Sequence, residues 1–172
     1  MGRVHVLVAQ GQVTHARKDT MALLELAPGD SVYAYYNALA HGATPAHQPP
    51  ELNRALFDNM AELYYVHMVR TLKYQLPKQI ADQLIARYPD KKINVLDLGC
   101  GTGLLGVCLG RLDGALVGVD ISKGMIEQAA RHNVYDRFHH VNLLDALEDT
   151  PASLYQVLAA LDVFIYAGDM SK

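Results

Sequence analysis

The chain has 172 residues, 51% of them hydrophobic and 19% charged, with a formal net charge of −3, which suits one ordinary globular domain or a small one with a helical extension. No long Lys/Arg cluster occurs, Lys91-Lys92 being the densest pair, so nucleic acid is disfavoured as a default partner. The opening MGRVHVLVAQG is too short an apolar run for a secretory signal, no stretch approaches a membrane span, and two cysteines, Cys100 and Cys108, make no disulfide framework, so reduced thiols in the cytoplasm are the simpler reading.

Residues 4–40 read as helical, with breaks at Gln10-Gly11-Gln12 and Pro28-Gly29-Asp30. Val13 to Leu26 carries Ala16, Leu23, Leu24 and Leu26 and then stops at Pro and Gly, as a helix does. Ala16 stands twelve residues before Pro28, the spacing of the second helix in a tetratricopeptide repeat. The first helix lacks the aromatic and Leu-Gly positions of such a repeat, so a worn repeat and a generic helical hairpin both remain open. HGATPAHQPP, residues 41–50, is a linker, since its prolines and glycine prevent helix and strand.

A second helical region is expected from Glu51 to about Lys73, because Leu56, Met60, Leu63, Tyr64, His67, Met68 and Leu72 recur at intervals of three and four. Pro77 opens another helix to about Arg87, sitting in the first turn where its missing N–H costs nothing. From Ile93 the texture changes. Apolar runs at Ile93–Leu98, Ala115–Val119, Phe138–Leu143 and Asp162–Tyr166 read as strands. Helical stretches at Leu104–Leu112, Ser122–His132 and Pro151–Ala160 separate them, with Ser122 a natural N-cap. Strands alternating with helices predict an α/β fold: a doubly wound, mostly parallel sheet of about four strands, behind an N-terminal helical extension. The expected division is 1–50 for the extension and linker, and 51–172 for the α/β domain, with 51–90 a helical lead-in. Ligands of such sheets bind beyond the carboxyl ends of the strands.

The stretch VLDLGCGTGLLG, residues 95–106, fits two nucleotide loops at once. Gly101 to Gly106 fits G-x-G-x-x-G, which cradles a dinucleotide pyrophosphate. Asp97 to Gly103 fits D-x-G-x-G-x-G, which holds a nucleoside without phosphate. Both need glycines for close backbone approach, and both want an acid such as Asp120 for the ribose. Asp97 decides between them. A fixed carboxylate at that loop opposes a pyrophosphate and suits a ligand with an ammonium and a sulfonium, which is S-adenosylmethionine.

VLDLGCGTG, VGVDISKGMIEQA, HVNLLDAL and DVFIYAGDM together resemble the successive ligand-contacting segments of the class I S-adenosylmethionine-dependent methyltransferases. ALFDNMAELYYVHMVRTLKYQLPKQIADQL resembles the helical lead-in of a subgroup whose methyltransferase domain follows tetratricopeptide repeats. The resemblance covers residues 51–170. It implies a Rossmann-like fold, with S-adenosylmethionine as cofactor and S-adenosylhomocysteine as product. By the same resemblance Asp97 lies near the methionine amino group, directly or through water, and Gly99, Cys100, Gly101 and Gly103 wall the ribose and amino-acid moiety. Asp120 binds the ribose hydroxyls, Ile121 and Met125 face the adenine, and Asn142 with Leu143 addresses the adenine edge, Asp145 being the rival acid. Tyr166, Ala167 and Gly168 border the transferred methyl. The lead-in has Met60 where the subgroup has an aromatic lid residue, while Tyr64 fits. No catalytic base is named, because methyl transfer from an activated donor is mostly proximity and orientation.

His139 and His140 are strand neighbours that point to opposite faces and cannot chelate together, so no metal site is expected. Cys100 reads as a small packing residue. DVFIY, as the last strand, would leave an exposed apolar edge, a liability that a missing continuation of the chain or a second copy would cover. The chain is therefore expected to be a fragment that binds cofactor and turns over poorly, with its methyl acceptor, a small molecule or a protein, undetermined. The rival readings are an NAD-dependent oxidoreductase fragment resting on GTGLLG, and a non-enzymatic interaction module with a vestigial cofactor site.

Overall fold

The computed structural model describes residues 2–45 and 48–166. They form two compact units, one ending at Leu52 and the other beginning at Asn53. The first unit contains α1 (Gly2–Ala9), α2 (Val13–Leu26) and α3 (Ser31–Ala40). Asp30 caps α3, its carboxylate accepting the N–H groups of Val32 and Tyr33, both at 2.9 Å. Ala16 and Ala40 are fully buried beside Leu7, and the small side chains let α2 and α3 approach closely. The buried Thr20 hydroxyl bonds Asn37 across the same pair at 3.0 Å, and Arg17 Nε donates to the Ala40 carbonyl at 2.8 Å.

The second unit takes in α4 (Pro50–Val66) from Asn53 onward, which runs on into a π-helical turn at His67–Thr71, and then α5 (Leu76–Arg87) with Pro77 in its first turn. Strand and helix then alternate: β1 (Val95–Leu98), α6 (Leu104–Leu109), β2 (Leu116–Asp120), α7 (Lys123–Ala130), β3 (Arg137–His140), α8 (Leu143–Asp149) and β4 (Val157–Ala160). All pairings are parallel, in the order β3-β2-β1-β4. The chain therefore winds outward to β3 and returns to the other side of β1, which creates the crevice where such sheets bind ligands.

Side chains of the central strands alternate between two cores. Val95 and Leu116 pack with Ala81, Leu105 and Leu109 of α5 and α6, whereas Leu96, Leu98, Val117 and Val119 pack towards Ala146 of α8. Every residue of β1 and β2 is buried, as expected for strands covered on both faces.

The end of the chain differs from the expectation. The fourth strand is Val157–Ala160, not Asp162–Tyr166, and the helix expected at Pro151–Ala160 lies earlier, at Leu143–Asp149. Pairing overrides local propensity here. The Asn94 carbonyl accepts from the N–H groups of Gln156 and Val157 at 3.0 and 3.2 Å, and the Gln156 side chain accepts the Asn94 N–H at 2.8 Å, which launches β4 along β1. Asp162 then takes φ +53°, which leaves extended backbone, and Phe164–Tyr166 closes a 3₁₀ turn. Phe164 and Ile165 are exposed. Among the described residues the edge strand on this side is β4, Val157–Ala160, where a strand at Asp162–Tyr166 was expected. Strand β3 likewise stops at His140, two residues short of the position Asn142 takes as the cap of α8. No helix of the described residues is long and apolar enough to cross a membrane.

Candidate functional site

The carboxyl ends of β1 and β2 bring together the glycine loop and two of the expected acids. Gly99, Gly101 and Gly103 have φ of +68°, +53° and +81°, a region that favours glycine. Gly99 is also fixed by space, because Val163, just past β4, occupies the place where a β-carbon would stand. Asp120 ends β2, where one carboxylate oxygen accepts the Gly101 N–H and the other the Ser122 N–H, both at 2.8 Å. Burial nevertheless pushes its carboxyl above the ordinary range, against those hydrogen bonds.

Asp97 is buried, and its Oδ2 accepts a 2.6 Å hydrogen bond from the Tyr135 hydroxyl. Burial carries its pKa up to about 7, with the Asp120 charge adding to the rise and the Tyr135 bond opposing it. Asp97 thus has a partner inside the fold, and its influence on a ligand at the crevice is that of a nearby buried charge. Tyr135 itself was not foreseen. Its ring fills the space beside Gly106, where a β-carbon would clash, and lies 4.8 Å from the Phe138 ring. Its hydroxyl oxygen accepts the Gly106 N–H at 3.3 Å.

This arrangement separates the two readings of the loop. The N–H groups of Gly99 and Cys100 go to the Val119 carbonyl, that of Gly101 to Asp120, that of Gly103 to the Cys100 carbonyl and that of Gly106 to Tyr135. Three of these amides, those of Gly101, Gly103 and Gly106, belong to the G-x-G-x-x-G stretch and are spent inside the fold, beside two acids that oppose a pyrophosphate. The third glycine of G-x-G-x-x-G makes room for a tyrosine ring.

The remaining expected residues are distributed unevenly. Ile121 follows Asp120 and is partly exposed, its carbonyl 2.9 Å from His140 Nε2. Met125 is 1% exposed and offers no solvent-facing surface. Asn142 caps α8 by accepting the Leu144 N–H at 2.9 Å, with Leu143 beside it and Asp145 exposed in the first helical turn. Cys100 is buried beside Gly118, burial lifting its thiol well above the usual range, which fits a packing residue. Tyr166 accepts at its carbonyl from Asn53 Nδ2 at 3.3 Å, and its ring lies edge-on to Phe57 at 5.0 Å. Ala167 and Gly168 lie outside the described residues. Among the described residues no group of three His, Cys, Asp or Glu is placed to hold a metal ion.

Helix α4 adds residues that sequence reasoning passed over. Phe57 stacks edge-on against Tyr64 at 6.2 Å as well as Tyr166, and the Tyr64 ring comes within 4.0 Å of the β-carbon position of Gly101. Burial raises the Tyr64 hydroxyl, with Tyr166, Asp120 and Asp162 contributing. Met60, by contrast, is exposed and joins none of these aromatic contacts. Asp58 accepts the Ser122 hydroxyl at 2.6 Å and the Gly124 N–H at 3.0 Å. The only signal for Asp58 was its place beside Phe57 in FDNMAELYY, and periodicity treats it as surface.

Residues 95–169 match the methyltransferase domain family. A malonyl-acyl-carrier-protein O-methyltransferase of Priestia megaterium is 33% identical over 91 residues, which are 51% of this chain and 32% of that protein. A 23S rRNA (uracil(1939)-C(5))-methyltransferase of Marinomonas posidonica is 33% identical over 124 residues, 65% of this chain and 27% of the other. The chain thus spans about a third of the length of these curated relatives. Among solved structures, magnesium protoporphyrin IX methyltransferase from Synechocystis, crystallised with S-adenosylmethionine, superposes with a TM-score of 0.57 at 20% identity, over 72% of this chain and 66% of the other, and shares the fold. The glycine loop, the acid ending β2 and the parallel sheet agree with that match, which makes residues 95–169 similar to a methyltransferase domain.

Proposed function

We propose that the α/β unit binds S-adenosylmethionine at the carboxyl ends of β1 and β2 and presents its methyl group to an acceptor. The observation that carries this reading is the pairing of a left-handed glycine cradle with buried Asp97 and Asp120, the Gly101 N–H being already committed to Asp120. The site fits a cationic nucleoside and opposes an anionic one. Asp120 would hold the ribose hydroxyls, Ile121 would flank the adenine, and Asn142 and Leu143 would lie at its edge. Asp97 would favour the ammonium through its charge, and Tyr64 and Tyr166 would close the methyl end. The bound cofactor supplies an activated methyl on sulfur, and the chain contributes orientation and exclusion of water.

The acceptor stays open, since the two relatives above act by their names on a malonyl oxygen and a uracil carbon. The α1–α3 unit is inferred to be a repeat-derived extension, on the strength of the close Ala16–Ala40 packing. Free Cys100 and Cys108 accord with a reducing, cytoplasmic location. Calorimetric titration of S-adenosylhomocysteine and, separately, NADH tests the reading. Micromolar binding of the first alone supports it, and binding of NADH alone, or of neither, sinks it.

A further inference from the structure

Asp58 lies on α4, far in sequence from the glycine loop, yet it is wired to it. Its Oδ1 accepts two hydrogen bonds from the start of α7, from the Ser122 hydroxyl and from the Gly124 N–H. Ser122 is fully buried and already busy: its hydroxyl oxygen accepts the Met125 N–H at 3.1 Å as the cap of α7, and its own N–H goes to Asp120 Oδ1. The other oxygen of Asp120 takes the Gly101 N–H. One hydrogen-bonded chain therefore runs from α4 through Asp58, Ser122 and Asp120 to the glycine loop. The Ser122 hydroxyl bond holds the Asp58 carboxyl below the ordinary range, so it stays ionised near neutrality and its bonds are charge-assisted. Packing fixes the same approach. A β-carbon on Gly124 would come within 3.1 Å of the Ala61 side chain, so α4 and α7 meet closely at a glycine, and Tyr65 of α4 lies 5.5 Å from the His132 ring beyond the end of α7. In this position α4 brings Tyr64 to Gly101 and Phe57 to Tyr166.

We propose that Asp58 is a positioning residue, a latch that couples closure of α4 over the crevice to the orientation of Asp120, so that filling the cofactor site and seating the helix are one event. This rests on the cofactor reading above, and the measurements are ordered to separate the two. Binding of S-adenosylhomocysteine to the full wild-type chain is read first by calorimetry, and its absence sinks the cofactor reading and the latch together. Asp58→Ala then removes both acceptor bonds and is expected to weaken binding about tenfold. At saturating ligand it should also lose the slowing of amide hydrogen exchange in residues 54–66 that the wild type shows on binding. Asp58→Asn keeps an acceptor oxygen of the same shape and should bind within about threefold of the wild type, with that protection retained. It also keeps the test decisive if the alanine variant folds poorly. Equal affinity of wild type and Asp58→Ala overturns the latch alone, as does undiminished protection of α4 in that variant. A loss in Asp58→Asn as deep as in Asp58→Ala overturns it too, because the acceptor geometry would then not be what matters.

Discussion

The sheet has a sealed middle and open margins. Every residue of β1 and β2 is buried, whereas β3 shows three exposed positions in four and Leu158 of the edge strand β4 is 57% exposed. The glycine loop, Asp97 and Asp120, proposed to hold most of the cofactor, hang from the sealed strands, whereas Asn142 and Leu143 at the proposed adenine edge follow β3, and Tyr64 and Tyr166 at the proposed methyl end hang from α4 and the turn after β4. The glycine cradle and its two acids are thus tied to the core, and the proposed methyl end is not.

The widest gap between middle and margin should open at Asp120. Asp120→Ala removes the ribose acceptor and frees the Gly101 and Ser122 N–H groups, and S-adenosylhomocysteine affinity should fall about a hundredfold or more by calorimetry. Retained affinity would break the comparison outright. Gly99→Ala should cost about 2–3 kcal/mol in urea unfolding, since φ +68° and the Val163 side chain both oppose a β-carbon.

A third, smaller effect concerns pH. Asp97 titrates in the fold near 7, well above its ordinary value, so between about pH 4 and 7 the folded chain keeps a proton that the unfolded chain has lost. Stability should therefore fall as pH rises through that window and level off above it, and Asp97→Asn should flatten the slope. A cationic ligand would lower this pKa, so binding near pH 7 should expel a proton, seen as a binding enthalpy that differs between phosphate and Tris. Smallest of all, Leu158→Lys on the edge strand should move the melting midpoint within the range of about 0.5 kcal/mol typical of surface changes. A larger loss would show that the β4 edge is covered in solution.

Much of this was legible in the chain. The strands β1 and β2, the glycine loop, the Ser122 cap and Asp120 all announce themselves, because local turn chemistry and continuous apolar runs coincide there. The fourth strand was misread because VLAA has the small residues of a helix and DVFIY the branched ones of a strand. Neither run says that Asn94, more than sixty residues earlier, supplies the pairing at Gln156 and Val157. Tyr135 and Asp58 were invisible for a related reason. Each acts across the fold, on Asp97 and on Ser122, and neither belongs to a periodic pattern or a motif. Met125 shows the opposite limit: its place on the helix after Asp120 was readable, but not its burial.

The committed amides of the glycine loop bear on how the chain would choose its ligand in a crowded cell. ATP, NAD and coenzyme A all carry adenosine, and all arrive with phosphate charge. Where Gly101, Gly103 and Gly106 spend their amides inside the fold beside two buried acids, the proposed site would take the nucleoside of those molecules and oppose their phosphates. Discrimination among the abundant adenine nucleotides is then written into how the loop folds, before any contact with a ligand is made.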